Sequence, residues 1–192
     1  MPDSLKYVLP QFENGQVTFS NGEFATGRLN ICTLDQRVHF IDTDGTVKAL
    51  DANDTVDRVR LGNYLFLKYN GQYVGLTDSI DDIYLGVIKN VRVETDKKTG
   101  AYGMKSETTN ITEYSSIATG GVTYDLSEAI LGDYKYTQTP MLIKGKVIYP
   151  VTKKRLLKYF PDKAGIIEAY IDEHHPNFNL LEDVLPLFEA LK

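Results

Sequence analysis

Apolar and polar residues alternate with period two along most of the first 150 positions, and beyond Pro150 the apolar spacing changes to three or four. The alternation is punctuated by residues suited to tight turns. Segments 16–20 and 23–29 flank Asn21-Gly22, a pair that takes the positive φ angles of a type I′ turn, so a hairpin is expected there. A second hairpin joins 29–32 to 37–41 through Thr33-Leu34-Asp35-Gln36. With those four residues as the loop, Ile31 faces Val38 and Leu29 faces Phe40, which gathers four apolar side chains on one face and sets Cys32, Arg37 and His39 together on the other. Asp44-Gly45 then turns the chain into 46–50, and 56–61, 64–69 and 72–76 follow as strands divided by Gly62-Asn63 and Asn70-Gly71. Short strands at this spacing predict an antiparallel meander or a small barrel. Residues 83–94 read as a longer strand and 96–100 as a charged turn. The polar stretch 106–121 reads as a long loop or a poorly patterned hairpin, and 134–139 and 141–149 as closing strands, with Gly145 a bulge or bend in the second.

The tail changes character. Thr152 suits an N-cap, Leu156, Leu157 and Phe160 form a stripe, and Pro161 stops that helix. Asp162 is expected to cap a second helix bearing Ile166, Ile167, Tyr170 and Ile171, with Pro176 after its end. Asn179 and Glu182 have capping-box spacing ahead of Leu181, Val184, Leu185, Phe188 and Leu191, a pattern that Pro186 must kink or restart. Helices this short are unstable alone, so their stripes should dock on one another or on the β body. The expected fold is α+β, mainly β: a meander or small barrel over 1–95, a polar loop and further strands extending it over 96–150, and three short helices over 151–192.

Composition narrows the function classes. The net charge is −5, and residues 1–96 carry 9 basic and 14 acidic side chains against 12 and 12 in the remainder. Sequence-independent nucleic-acid binding needs a basic stripe, so DNA and RNA are not expected partners. The lone Cys32 forms no internal disulfide and leaves the compartment open. No apolar run reaches the roughly 18 residues of a membrane helix, and the first residues lack the basic start and apolar region of a signal peptide. A soluble chain is expected, compatible with a mature secreted form. Thirteen tyrosines and no tryptophan favour β structure and amphipathic surfaces.

The candidate chemistry is sparse. Asp42-Thr43-Asp44-Gly45 resembles the start of a calcium loop, but its Gly comes fourth rather than sixth, and a plain hairpin turn is the better reading. Asp78, Asp81 and Asp82 read as a solvated acidic turn. Cys32 and His39 are diagonal neighbours in the register above, close enough for a thiol and a base, though without a third orienting group they read as an exposed thiol beside a surface histidine. His174 and His175 point about 100° apart on a helix and suit its C-terminal dipole better than a shared metal. Asn53-Asp54-Thr55 and Asn110-Ile111-Thr112 match the glycosylation triplet. No phosphate loop, dinucleotide fingerprint, zincin helix or nucleophile elbow is present, so no catalytic, metal or cofactor residue is assigned. Tyr64, Tyr69, Tyr73, Tyr102 and Tyr114 are the candidate ligand-binding residues, able to stack on sugars or peptides, with sheet packing as the alternative.

Gly15-Gln16-Val17-Thr18-Phe19-Ser20-Asn21-Gly22, Gly27-Arg28-Leu29-Asn30 and Phe40-Ile41-Asp42 together resemble the start of a family of exported, β-rich Bacteroidetes proteins of unknown function. Ala49-Leu50, the segment 56–59, Lys98-Thr99-Gly100-Ala101-Tyr102-Gly103, and 153–160 followed by Pro161-Asp162-Lys163 continue the resemblance over most of the chain. It implies an extracytoplasmic protein, periplasmic or otherwise, and supplies no activity to carry over to these residues. The front is also loosely similar to Sm-like and SH3-like small barrels. The expected function is therefore non-enzymatic binding of a protein, peptide or glycan, or envelope association. The alternatives are an enzyme with a site near Cys32 and His39 or Asp78–Asp82, and a protein that docks partners through its C-terminal helices.

Overall fold

The computed structural model describes residues 3–94 and 133–192. Its strands are β1 (Glu13–Phe19), β2 (Phe24–Ile31), β3 (Val38–Ile41), β4 (Val47–Ala49), β5 (Val56–Leu61), β6 (Tyr64–Tyr69), β7 (Gln72–Ile80), β8 (Ile83–Glu94), β9 (Asp133–Lys144) and β10 (Val147–Pro150). Three helices follow: α1 (Lys153–Tyr159), α2 (Ala164–His174) and α3 (Leu181–Ala190). All ten strands join one antiparallel sheet in the order β10-β9-β8-β7-β6-β5-β1-β2-β3-β4. Because β10 and β4 remain edges, the sheet is an open meander rather than a closed barrel.

The β2–β3 register pairs Leu29 with Phe40 and Ile31 with Val38, as the apolar pattern requires. At Asn21-Gly22 the hairpin forms but not as type I′: only Gly22 has positive φ (+90), and its N–H donates to the Phe19 carbonyl at 2.9 Å, which makes Ser20-Asn21 the turn's centre, whereas Asn70 and Gly71, between β6 and β7, both have positive φ, the type I′ requirement. Two strands differ from expectation. β7 continues through a bulge between Leu76 and Asp78 as far as Ile80, so the acidic turn shrinks to Asp81-Asp82. The segments expected as separate strands at 134–139 and 141–149 are instead one strand through Pro140, followed by a hairpin at Gly145-Lys146. Pro140 is tolerated because β10 pairs with β9 only at Met141–Lys144, so its missing N–H interrupts no ladder on that side. Gly145, at φ +61, makes the turn itself rather than a bulge.

β4 returns to β5 through a 3-10 turn, Asn53–Thr55, and lays β5 along the free edge of β1. The sheet also rolls over itself. β8 stands five places from β2, yet Val91 N–H donates to the Thr33 carbonyl at 3.1 Å and Gln36 Nε2 to the Lys89 carbonyl at 2.9 Å. Inside that roll lie Val17, Leu29, Ile31, Val38, Val59, Leu61, Phe66 and Tyr73. On the same face further along, Ile83, Leu85 and Leu142 pack against Leu156, Phe160, Ile167, Val184, Leu187, Phe188 and Leu191 of the helical tail. A third cluster, Val74, Ile88, Met141, Ile143 and Ile148, sits on the opposite face. There Gly86 permits close packing, since a Cβ would stand 2.5 Å from Val74 and 2.9 Å from Ile143.

The helical stripes thus dock on the β body. Thr152 caps α1 by accepting from the Arg155 N–H, as its residue type suggests. The other two caps differ. Pro161–Lys163 forms a 3-10 turn and α2 begins after Lys163 without a side-chain cap, while α3 starts after Leu180. Asn179 makes no cap; its N–H and amide both turn back to Asn177 Oδ1. α3 runs through Pro186 without restarting. The stretch 106–121 and the Lys98–Gly103 motif lie outside the described residues.

Candidate functional site

The loop between β2 and β3 builds the densest polar cluster. Cys32 N–H donates to the Arg37 carbonyl at 2.9 Å, Gln36 N–H to the Cys32 carbonyl at 3.1 Å, and Arg37 N–H to Asp35 Oδ1 at 3.0 Å. Gln36 takes φ +54 to close this corner. The result turns Cys32, Asp35 and His39 toward one point, with their ligating atoms all within 4.8 Å of one another. His39 Nε2 lies 3.0 Å from Asp35 Oδ2, and its Nδ1 lies 3.3 Å from the Tyr7 hydroxyl. Tyr7 arrives on a segment bridged to Cys32 and packs edge-on against both His39 and Phe12.

The electrostatics of this corner settle one question. Burial, followed by the Asp35 charge, raises the Cys32 thiol to about 12, and burial likewise raises Tyr7. Burial opposes ionisation of Asp35, but hydrogen bonds and charge from His39, the Arg37 N–H and the Cys32 thiol outweigh it and hold the carboxyl below its ordinary value. A thiolate nucleophile is therefore disfavoured at neutral pH, although Cys32 and His39 do meet. The expectation of an exposed thiol beside a surface histidine is also corrected: Cys32 is fully buried and His39 nearly so, because the rolled sheet and the Tyr7 segment cover that face. Sequence reasoning missed Asp35 and Tyr7 as members; the loop position of Asp35, three residues after Cys32, was the available signal.

The candidate tyrosines do not converge. Tyr64 is 54% exposed at one end of β6, opposite Leu61, whereas Tyr69 is five residues further along the strand and projects from the other face, against the third cluster. Tyr73 is a core residue, 1% exposed, whose hydroxyl donates to Asn53 Oδ1 at 2.7 Å. Its strand position faces into the roll, which the alternation alone could not reveal. Tyr102 and Tyr114 lie outside the described residues.

Other candidates resolve plainly. Lys48 pairs with both Asp42 and Asp44, giving an ion-paired hairpin turn. Lys192 pairs with Asp78 and Lys144 with Asp82. His175 takes the left-handed C-cap of α2 and His174 stacks on Tyr170 at 4.2 Å. Asn53, the first glycosylation triplet's asparagine, is buried, with Oδ1 accepting from Val38 N–H and Nδ2 donating to the Gln36 carbonyl; the second triplet lies outside the described residues. Lys68 is a further unanticipated group. Its ammonium is buried over the Tyr73 ring, 4.2 Å from the centroid, with no hydrogen-bond partner among the described residues, and burial lowers its pKa.

The opposite, outward face of β2, β1, β5 and β6 carries a different feature. The register sets Phe24, Thr18 and Arg58 in one row and Thr26, Gln16, Arg60 and Leu65 in the next. Arg28, opposite Asn14, continues the same face. An open cleft of about 240 Å³ lies between Gln16, Thr18, Arg58, Arg60 and Leu65. None of these register positions holds an acidic residue. Asp57, at the bulge beside Phe19, reaches Arg58 only at 3.8 Å in an exposed pair. Phe24, 65% exposed, is the most exposed of the large apolar side chains described.

Comparison with known protein families, characterised proteins and solved structures finds no match to this chain. Fold and site together define a mainly β protein of the α+β class, an open ten-stranded sheet with an arginine-bearing face and a corner where exposed Asp35 meets buried Cys32 and His39. Among the described residues, no helix is long and apolar enough to cross a membrane.

Proposed function

We propose that the protein is a non-enzymatic binding protein, placed outside the cytoplasm, which holds a carboxylate- or phosphate-bearing ligand on the face of β2, β1, β5 and β6. The observation that carries this reading is the cleft between Arg58 and Arg60. Alternate residues of a strand project on one face about 7 Å apart, so two guanidinium forks point the same way and can each take an oxyanion bidentately. Gln16 and Thr18 add neutral donors beside them, and exposed Phe24, in the Arg58 row two strands away, supplies a flat apolar platform. On a chain of net charge −5, a patch of three arginines whose facing register positions hold no carboxylate, with Asp57 its exposed neighbour, steers anions to one place. Burial and the Asp35 charge, which push the Cys32 thiol up, favour binding over nucleophilic catalysis. The extracytoplasmic placement rests on the family resemblance of the sequence.

Calorimetric titration with polyglutamate, a polyuronate and a phosphorylated oligomer tests this. Saturable binding that weakens with salt is expected for the class whose geometry fits, and Arg58→Ala with Arg60→Ala should weaken it at least tenfold. Equal binding by the double variant, or no binding by any of the three polymers, would refute the reading.

A further inference from the structure

We propose that Cys32, Asp35 and His39 form a binding site for a divalent cation of the zinc class, with water as the fourth ligand and Tyr7 orienting the imidazole. The donors are one sulfur, one carboxylate oxygen and one imidazole nitrogen, within 4.8 Å of one another, with His39 Nε2 already 3.0 Å from Asp35 Oδ2. Zinc bonds of about 2.0–2.3 Å in a tetrahedron put ligand atoms roughly 3.3–3.8 Å apart, so adjustments on the order of 1 Å close the site. The mixed donor set selects the cation: calcium and magnesium take oxygen ligands, whereas zinc accepts all three atom types.

The supporting structure is also that of a metal site. Asp35 Oδ1 is occupied by the Arg37 N–H, which leaves Oδ2 to coordinate. All three ligands stand on one hydrogen-bonded corner, so little chain entropy is lost on binding. Cys32 and His39 are shielded, whereas the Asp35 side chain is 39% exposed and gives the cation an entry path and its water. The second imidazole nitrogen is held by the Tyr7 hydroxyl at 3.3 Å, the outer contact that fixes a ligating histidine's tautomer.

The protons balance as follows. With His39 neutral and its proton on Nε2, that N–H faces Asp35 Oδ2 and Nδ1 accepts from the Tyr7 O–H. When the cation takes Nε2, the imidazole proton resides on Nδ1 and is donated to the Tyr7 oxygen, and the Cys32 thiol proton leaves to solvent. One proton is released per cation.

Cobalt(II) added to the full chain is the probe, because it reports both sulfur ligation and tetrahedral geometry. One equivalent should bind with a sulfur-to-cobalt charge-transfer band in the near ultraviolet and tetrahedral visible bands, and zinc should displace it. Calorimetry in buffers of different ionisation enthalpy should show release of one proton. Cys32→Ser should lose the charge-transfer band. Asp35→Asn, at a partly exposed position that leaves the core intact, should weaken binding at least tenfold, and Tyr7→Phe about 10–100-fold. Folded protein that gives no charge-transfer band with cobalt, or an Asp35→Asn variant with unchanged affinity, overturns the proposal. These outcomes are independent of anion binding by Arg58 and Arg60.

Discussion

The crossover from β4 to β5 is pinned by one buried side chain, and its removal should be costly in a way that separates hydrogen bonding from packing. Asn53 Oδ1 accepts from Val38 N–H at 3.1 Å and from the Tyr73 hydroxyl at 2.7 Å, and its Nδ2 donates to the Gln36 carbonyl at 3.3 Å. Asn53→Ala deletes three bonds at about 1 kcal/mol net each and strands buried groups that water cannot reach, so a loss of about 3 kcal/mol is expected. Tyr73→Phe deletes only one bond, whose acceptor keeps the Val38 N–H, and should cost about 1 kcal/mol. The decisive comparison is the double variant. In the Asn53→Ala background the Tyr73 hydroxyl is already orphaned, so removing it should cost nothing or restore a few tenths of a kcal/mol. Urea unfolding followed by far-ultraviolet circular dichroism measures all three. A loss below about 1 kcal/mol for Asn53→Ala, or strictly additive effects, would refute the role given to Asn53.

Other expectations concern packing, pH and the tail. Gly86→Ala forces a methyl against Val74 and Ile143 and should destabilise by about 1–3 kcal/mol, whereas Gly165→Ala, with nothing within 4 Å in α2, should stabilise by about 0.5–1 kcal/mol; thermal melts compare them. Lys68→Met removes an ammonium that has no hydrogen-bond partner among the described residues and should raise stability by on the order of 1 kcal/mol, a gain absent if the Tyr73 contact outweighs desolvation. Burial, and then the Asp54 charge, raise Tyr73 above its ordinary value of 10.0. The folded state therefore binds this proton more tightly than the unfolded state: its stability is complete below pH 10 and lost as pH rises beyond it, and Tyr73→Phe should flatten that alkaline limb in pH-dependent urea melts. Truncation after Pro150 uncovers Ile83, Leu85 and Leu142 and should abolish cooperative unfolding; a well-folded truncated sheet would show instead that the tail is dispensable.

Much of the local structure was legible because it rests on short-range rules. Period-two alternation gave the strands, Asn70-Gly71 a turn with both residues at positive φ, and Thr152 a cap whose side chain reaches three residues along the chain. The errors fall where a distant partner decides. The strands expected at 134–139 and 141–149 are one strand through Pro140, because whether its missing N–H matters depends on where β10 ends. Asn179 had capping-box spacing, yet Asn177 captured its N–H and amide.

The candidate sites divide in the same way. The order of residues in a hairpin was enough to bring Cys32 near His39, because pairing is a property of adjacent strands, whereas the face of Arg58 and Arg60 was not singled out, since its neighbours come from β1 and β2. Sequence could not say that Tyr73 turns into a core while Tyr64 remains exposed, since both sit on regular strands and only the roll of the sheet distinguishes inside from outside. Nor could it bring Tyr7 to His39, 32 positions away, or seal Cys32 beneath it. Local pattern determined the strands, most turns and the helical tail. The curvature of one open sheet, a sum of non-local contacts, decided which of their side chains are buried, which are exposed, and which meet.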